Sequence, residues 1–183
     1  GEADGLARTR SFQGALVEAR LAGLTYPTHL GGAGLSAQHQ EVFTRVSAGW
    51  RLPNGPLAIS HGMCLPMLNQ FGTDEQKATY LPDNISGRSI WCQMFSEPGA
   101  GSDVADISTV AEKTPDGKFF LVRGSKKWIT NGFESDYFTT AVRTGGKGAM
   151  GVSLLLIERG PRGLVVRLPK IRSLQPKKKK KIG

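Results

Sequence analysis

The feature that most constrains the fold is an abrupt change of pattern between Asn84 and Arg88. Upstream of this segment, apolar residues recur at the three- and four-residue spacing of amphipathic helices, separated by residues that start and end helices. Downstream of it, short apolar runs alternate with turns rich in glycine, proline and aspartate. Because helices come first and strands follow, the order predicts an α+β fold with segregated layers.

Four helices are predicted before the change of pattern. The first lies within residues 6–22, begins near Thr9 or Ser11 and ends at Gly23, and the second runs from the N-cap Ser36 to Gly49. The third covers residues 57–71 and is kinked or split by Pro66. The fourth starts with the capping box Thr73–Gln76 and ends at Pro82. The glycine cluster at residues 31–34 favours a structural bend over a phosphate-binding loop.

The rest of the chain is predicted to form short strands. They cover residues 90–95, 109–113, 118–122, a strand through Trp128 and Ile129, residues 137–143 and 151–157, and the beginning of a last strand at 164–167. Pro115-Asp116-Gly117 is turn chemistry and predicts that the second and third of these strands form a hairpin.

The charge of the chain is concentrated at its C-terminal end. The formal net charge is +9, but residues 170–183 contain seven basic residues and no acidic ones, and without them 17 basic residues face 15 acidic ones. Five adjacent lysines at 177–181, with no aromatic residues between them, predict a solvated, disordered tail and make nucleic acid an improbable partner. Two cysteines, no long apolar run and no signal peptide predict a reduced protein of the cytoplasm, or of the mitochondrial matrix or peroxisome in a eukaryote.

The most informative stretch runs from Ile90 to Asp103. Its first half is typical of a buried strand, and its second half, a glycine loop at residues 98–102, cannot continue that strand because Pro98 lacks a ladder donor. Unblocked backbone N–H groups in such a loop can point at phosphate or carbonyl oxygens. By itself the pattern also fits an ordinary structural turn.

A second segment, Trp128-Ile129-Thr130-Asn131-Gly132, follows about thirty residues later; we call it the tryptophan segment. Taken together, the two motifs closely resemble the flavin-binding signature of the acyl-CoA dehydrogenase family. The resemblance extends from Leu24 to Arg167 and includes residues 23–27, 31–35 and 71–77. It implies an N-terminal α-helical domain at 1–86 and an antiparallel β-barrel-like middle domain, truncated here, at 87–174. The basic tail at 175–183 departs from the family pattern.

The resemblance also implies FAD as the cofactor and assigns residues to it. These are Gln93, Phe95 and Ser96 along the flavin ring, Gly101 and Ser102 near the pyrophosphate, Trp128 packed on the ring, and Ile129 and Thr130 at its N5 and carbonyl edge. Ser102 is also placed on the CoA side of the ligand, as a substrate-binding residue. Without the family context, a tryptophan here is more often a core residue, and Thr130 before Asn131-Gly132 more often belongs to a turn.

The family oxidises the α–β bond of an acyl-CoA thioester, and the resemblance implies electron-transfer flavoprotein as acceptor and a homodimer or homotetramer. Its catalytic base comes from a C-terminal helical domain, which does not follow residue 174 here, so we expect no catalytic base in this chain and no activity from it alone. Glu97 is not assigned as the base, because its neighbour Pro98 indicates a turn-fixing role. His29, His39 and His61 show no metal-ligand spacing, and no metal is expected.

Two other interpretations remain open. A flavin oxidase, monooxygenase or nitroalkane-type relative on the same scaffold would differ in the identity of its base. A non-catalytic fragment whose basic tail binds nucleic acid or an acidic partner would show an affinity that collapses with salt.

Overall fold

A computed structural model of the chain describes residues 2–160 and residue 164. In this part of the chain, helices precede strands, which confirms the predicted α+β class. The helices are α1 (Glu2–Glu18), α2 (Ala37–Ser47), α3 (Leu65–Phe71), which continues a π-helical turn at Ser60–Cys64, and α4 (Asp74–Ile85). The strands are β1 (Trp91–Met94), β2 (Val110–Lys113), β3 (Phe120–Arg123), β4 (Tyr137–Arg143) and β5 (Val152–Glu158).

The five strands form one mixed sheet around β4. Strand β1 pairs with β4 in parallel, β5 pairs with it antiparallel, and β2 joins it in parallel at the single pair Val110 and Arg143. Strands β2 and β3 form the predicted hairpin at the edge. Within the described residues the sheet is not closed into a barrel. The last predicted strand lies outside those residues apart from Leu164, as does the basic tail.

The core lies where the helices pack on β1. Trp91 is completely buried against helical residues that include Leu68, Leu81 and Ile85. A second cluster of Cys92, Met94 and Phe138 lies between β1 and β4. Strand β1 is therefore held on both sides, which fixes the point where the glycine loop leaves the sheet. In the part of the chain that the structure describes, no helix has the length and apolarity needed to cross a membrane.

Three predicted helix ends are wrong. Helix α1 begins at Glu2, earlier than predicted, and ends at Glu18, because Arg20 adopts the left-handed conformation (φ 56°). Helix α4 does not end at Pro82 but continues to Ile85. Proline removes one helical hydrogen bond, and the burial of the apolar Ile85 side chain in the following turn, where it is 1% exposed, outweighs that loss.

The predicted capping box of α4 is confirmed. The Gln76 N–H donates to the Thr73 hydroxyl (3.2 Å), and the Thr73 N–H donates to the Gln76 side-chain oxygen (2.9 Å). We expect Thr73→Ala to lower the free energy of unfolding by about 1 kcal/mol. Thr79→Ala, an exposed change inside the same helix, should not lower it, since alanine has the higher helix propensity. Equal urea midpoints for the two variants would contradict this assignment.

Candidate functional site

The glycine loop leaves β1 through a tight turn. The Glu97 N–H donates to the Ala100 carbonyl at 2.7 Å, and the Ala100 N–H donates back to the Glu97 carbonyl at 3.3 Å. Beyond this turn the loop is open: a Cβ atom built on Gly99 or Gly101 would meet no other part of the chain within 4 Å. Space beside a glycine backbone allows a ligand to approach the N–H groups closely.

The tryptophan segment does not form the predicted strand. Trp128 and Asn131 both have left-handed backbones (φ 61° and 59°), which interrupt an extended chain and are unusual for a bulky residue. Residues held in this way are concentrated at functional sites. Trp128 is 72% exposed, and the Lys127 ammonium lies 4.6 Å from the centroid of its ring. Its ring is thus available to a ligand rather than packed in the core.

The structure brings the two motifs together. The Lys127 N–H donates to the Ser96 carbonyl at 2.9 Å, and the Lys126 ammonium donates to the Phe95 carbonyl at 3.0 Å. Ile129 packs on the buried Cys92–Phe138 cluster. The end of β1 and the start of the tryptophan segment therefore lie side by side, although about thirty residues separate them in sequence.

The Glu97 carboxylate is held in place by four hydrogen bonds. One carboxylate oxygen accepts from the Ser108 N–H (2.7 Å) and hydroxyl (2.6 Å), and the other accepts from the Thr109 N–H (2.9 Å) and from Lys126 Nζ (2.8 Å). Burial raises the pKa of this carboxyl, but the hydrogen bonds from Lys126, Ser108 and Thr109 outweigh it and hold the pKa well below its usual range. A carboxylate so engaged is a poor proton acceptor, which agrees with the turn-fixing role inferred from its neighbour Pro98.

The far end of the tryptophan segment is fixed from two directions. The Asn131 amide donates to the Pro56 carbonyl at 2.9 Å and so ties the segment to the helical part of the chain. The Arg159 guanidinium donates to the carbonyls of Gly132 (2.8 Å) and Ser135 (2.6 Å). These bonds use atoms beyond Thr130 and leave the exposed ring of Trp128 free.

The remaining polar groups of the site fit a flavin nucleotide. None of the hydrogen bonds among the described residues involves the side chains of four predicted ligands, which are Gln93, Ser96, Ser102 and Thr130. The backbone N–H groups at positions 99, 101, 102, 129 and 130 likewise donate to no described residue. Free N–H donors suit a pyrophosphate and the carbonyl edge of a flavin ring, and an exposed indole suits its apolar face.

Among the described residues, the histidines and cysteines take part in no metal-binding cluster. Burial lowers the pKa of His61, whose Nε2 lies 2.9 Å from the Asn84 carbonyl oxygen, so this histidine stays neutral at pH 7. In the described ranges no three His, Cys, Asp or Glu side chains are grouped so that they could hold a metal ion.

A cavity of about 500 Å³ lies within the helical part and is lined mostly by apolar residues, among them Phe12, Leu57 and Leu65. Its size is that of a small-molecule pocket.

The sequence reasoning missed Lys126, and it missed Ser108 and Thr109, which with Lys126 donate to the Glu97 carboxylate. The one signal in the sequence was the pair of lysines immediately before Trp128. In the structure Lys127 is exposed, whereas the Lys126 side chain is only 7% exposed. In an extended segment, neighbouring side chains point to opposite sides, so one of the pair had to point inward. Which carboxylate would meet it was not readable from the chain.

Two family models match the chain. The model described as "Acyl-CoA dehydrogenase, N-terminal domain" matches residues 2–88, and that described as "Acyl-CoA dehydrogenase, middle domain" matches residues 92–174. The mitochondrial isobutyryl-CoA dehydrogenase of Bos taurus is 32% identical over 162 residues, which are 88% of this chain and 36% of that protein. The acyl-CoA dehydrogenase apdG of Emericella nidulans is 49% identical over 105 residues, 57% of this chain and 24% of that protein.

Solved structures show the same similarity. A probable acyl-CoA dehydrogenase from Mycobacterium abscessus superposes with a TM-score of 0.69 at 36% identity, covering 85% of this chain and 42% of the other. The prolyl acyl carrier protein oxidase AnaB superposes with a TM-score of 0.73 at 28% identity, covering 87% and 43%. The chain thus spans less than half the length of these relatives.

Proposed function

Because this chain belongs to the acyl-CoA dehydrogenase family, we propose that it supplies the helical and flavin-binding portion of an FAD-dependent oxidoreductase that dehydrogenates the α–β bond of an acyl-CoA thioester. The observation that carries the proposal is that two motifs far apart in the sequence lie next to each other in the fold. The glycine loop and the tryptophan segment lie side by side and present free donors beside an exposed indole ring. When bound, FAD would supply the acceptor for the hydride that leaves the β carbon.

The residues of this chain have positioning and electrostatic roles in the proposal. The N–H groups of the glycine loop bind the pyrophosphate, with Ser102 on the CoA side. The Trp128 ring covers a face of the flavin, and the Ile129 N–H and Thr130 hydroxyl donate to its polar edge. Donors aimed at that edge stabilise negative charge on the reduced ring. Gln93, Phe95 and Ser96 line the ring at the end of β1.

The proton acceptor is not assigned to a described residue, because the one carboxylate buried within this site, Glu97, already accepts four hydrogen bonds. We therefore expect no turnover of an acyl-CoA with an artificial electron acceptor when this chain is assayed alone. As partners we propose an acyl-CoA and electron-transfer flavoprotein; an electron-transferring flavoprotein of Acidaminococcus fermentans is named among the structural neighbours. A homodimer or homotetramer, and the division into domains at 1–86 and 87–174, belong to the same proposal.

The oxidase alternative has one structural counterpart in AnaB, and the fold by itself does not separate the two activities. We favour the dehydrogenase because both family models and both curated relatives described above are acyl-CoA dehydrogenases by name.

The test is a titration of this chain with FAD, followed by flavin fluorescence. We expect saturable binding with a micromolar or weaker dissociation constant, because the residues assigned to FAD come from only two short segments and each 1.4 kcal/mol of missing interaction weakens binding about tenfold. Flavin that stayed bound in stoichiometric amount through gel filtration would show that this part of the site is sufficient for tight binding. A fluorescence signal that does not saturate would contradict the proposed function.

A further inference from the structure

We propose that the buried ion pair between Lys126 and Glu97 is a positioning clamp, which holds the glycine loop and the tryptophan segment in one fixed relation and thereby sets the geometry of the flavin site. The inference rests on the proposed flavin-binding function. It adds two residues, neither of them expected to touch the cofactor, that determine whether the groups that do touch it are correctly placed.

Lys126 joins the segments directly. Its ammonium donates to the Glu97 carboxylate at 2.8 Å and to the Phe95 carbonyl at 3.0 Å, and its side chain is only 7% exposed. The next residue adds a backbone bond, from the Lys127 N–H to the Ser96 carbonyl. Residues 95–97, which follow β1 directly, are thus hydrogen-bonded to Lys126 and Lys127, the two residues before Trp128.

Glu97 extends the clamp to a third segment. Its carboxylate is 2% exposed and also accepts from the N–H groups of Ser108 and Thr109, just before β2. Its backbone closes the turn to Ala100 that opens the glycine loop. Moving this carboxylate would therefore displace the start of the glycine loop, the residues just before β2 and the tryptophan segment.

A role in geometry explains the pair better than a role in stability alone. Burying two charges is costly, and well-packed apolar side chains of similar volume are often at least as stabilising. An ammonium with directed donors and a carboxylate with four acceptor bonds impose angles and distances that an apolar contact does not. Such constraints suit a site whose donors must match a rigid ring and a pyrophosphate.

The test compares FAD binding and amide hydrogen exchange in the wild-type chain and in Lys126→Met, with Arg123→Met as the matched control. Arg123 forms an ion pair of similar length (2.9 Å) with Glu112 across the β2–β3 hairpin, but both side chains are 65% exposed. We expect Lys126→Met to weaken FAD binding at least about tenfold and to alter the spectrum of the flavin that remains bound. The amides of Lys127, Ser108 and Thr109 should exchange faster, while those of the β4–β5 ladder keep their protection. Arg123→Met should change none of these.

A second variant applies if Lys126→Met does not fold. Glu97→Asp keeps the charge but shortens the side chain by one methylene, and it should produce the same local loss of amide protection with weaker FAD binding. If either variant folds and shows wild-type FAD affinity, flavin spectrum and amide protection, the clamp is refuted while the proposed function stands. If the wild-type chain binds no FAD, the proposed function fails and the flavin role of the clamp fails with it; the exchange data then show whether the ion pair orders the loops at all.

Discussion

Glu97→Gln is expected to lower the free energy of unfolding by about 3–5 kcal/mol, because it leaves the Lys126 ammonium buried without its counter-charge. Ser108 donates to one carboxylate oxygen, and Thr109 and Lys126 donate to the other, so a single amide oxygen can replace only one of these two acceptors; the amide nitrogen at the other position cannot accept. Urea denaturation at pH 7 measures the effect. The control is Glu112→Gln, which removes the charge of the exposed pair with Arg123 and should cost less than about 1 kcal/mol. Similar losses for the two variants would show that the burial of the Glu97 pair has no energetic consequence.

The Glu97 carboxylate should also make the free energy of unfolding depend on pH. Its pKa in the folded chain lies below the value of about 4.3 expected for an unfolded glutamate, so the unfolded chain binds the proton first as pH falls. The contribution of Glu97 to stability is therefore fully present above that unfolded value and is lost as pH decreases below it. The stability difference between the wild type and Glu97→Gln should be constant between about pH 6 and 7 and shrink below about pH 4.3. A difference that grew with acidity would contradict the sign of this shift.

Trp128→Ala is expected to weaken FAD binding about tenfold or more, since stacking of an aromatic ring contributes roughly 0.5–1.5 kcal/mol beyond the apolar area it covers. Folding stability should change little, because the ring is 72% exposed without a ligand. Trp50→Ala is the matched control: this tryptophan is 75% exposed but lies in the helical part of the chain, and its loss should leave the FAD dissociation constant unchanged.

Thr130→Val tests the hydroxyl donor of the tryptophan segment separately from the packing of the Trp128 ring. It should keep FAD bound but shift the reduction potential of the flavin, because it removes a hydroxyl donor from the polar edge without removing the indole. If Trp128→Ala and Thr130→Val both gave wild-type flavin spectra and reduction kinetics, the assignment of this segment to the flavin would be wrong.

The sequence by itself determined the α+β class, the hairpin of β2 and β3, the capping box of α4 and the family. These features depend on local propensity, turn chemistry and motif spacing, all of which operate between residues close together in the chain. It also indicated that Glu97 has a structural role rather than a catalytic one, from the neighbouring proline. The assignment of Ser96, Ser102 and Thr130 to the flavin remains a prediction, and their free polar atoms support it.

Only the tertiary structure decided how the two halves of the site meet. Helix α4 continues through Pro82 because the following turn is buried. The tryptophan segment leaves the extended conformation between two long-range bonds, from the Lys127 N–H to the Ser96 carbonyl before it and from the Asn131 side-chain amide to the Pro56 carbonyl within it. The pairing of Lys126 with Glu97 joins residues 29 positions apart, and no local pattern specifies which carboxylate meets a buried ammonium. Burial and long-range hydrogen bonding depend on the whole fold, and for that reason the geometry of the site was not readable from the motifs that predicted it.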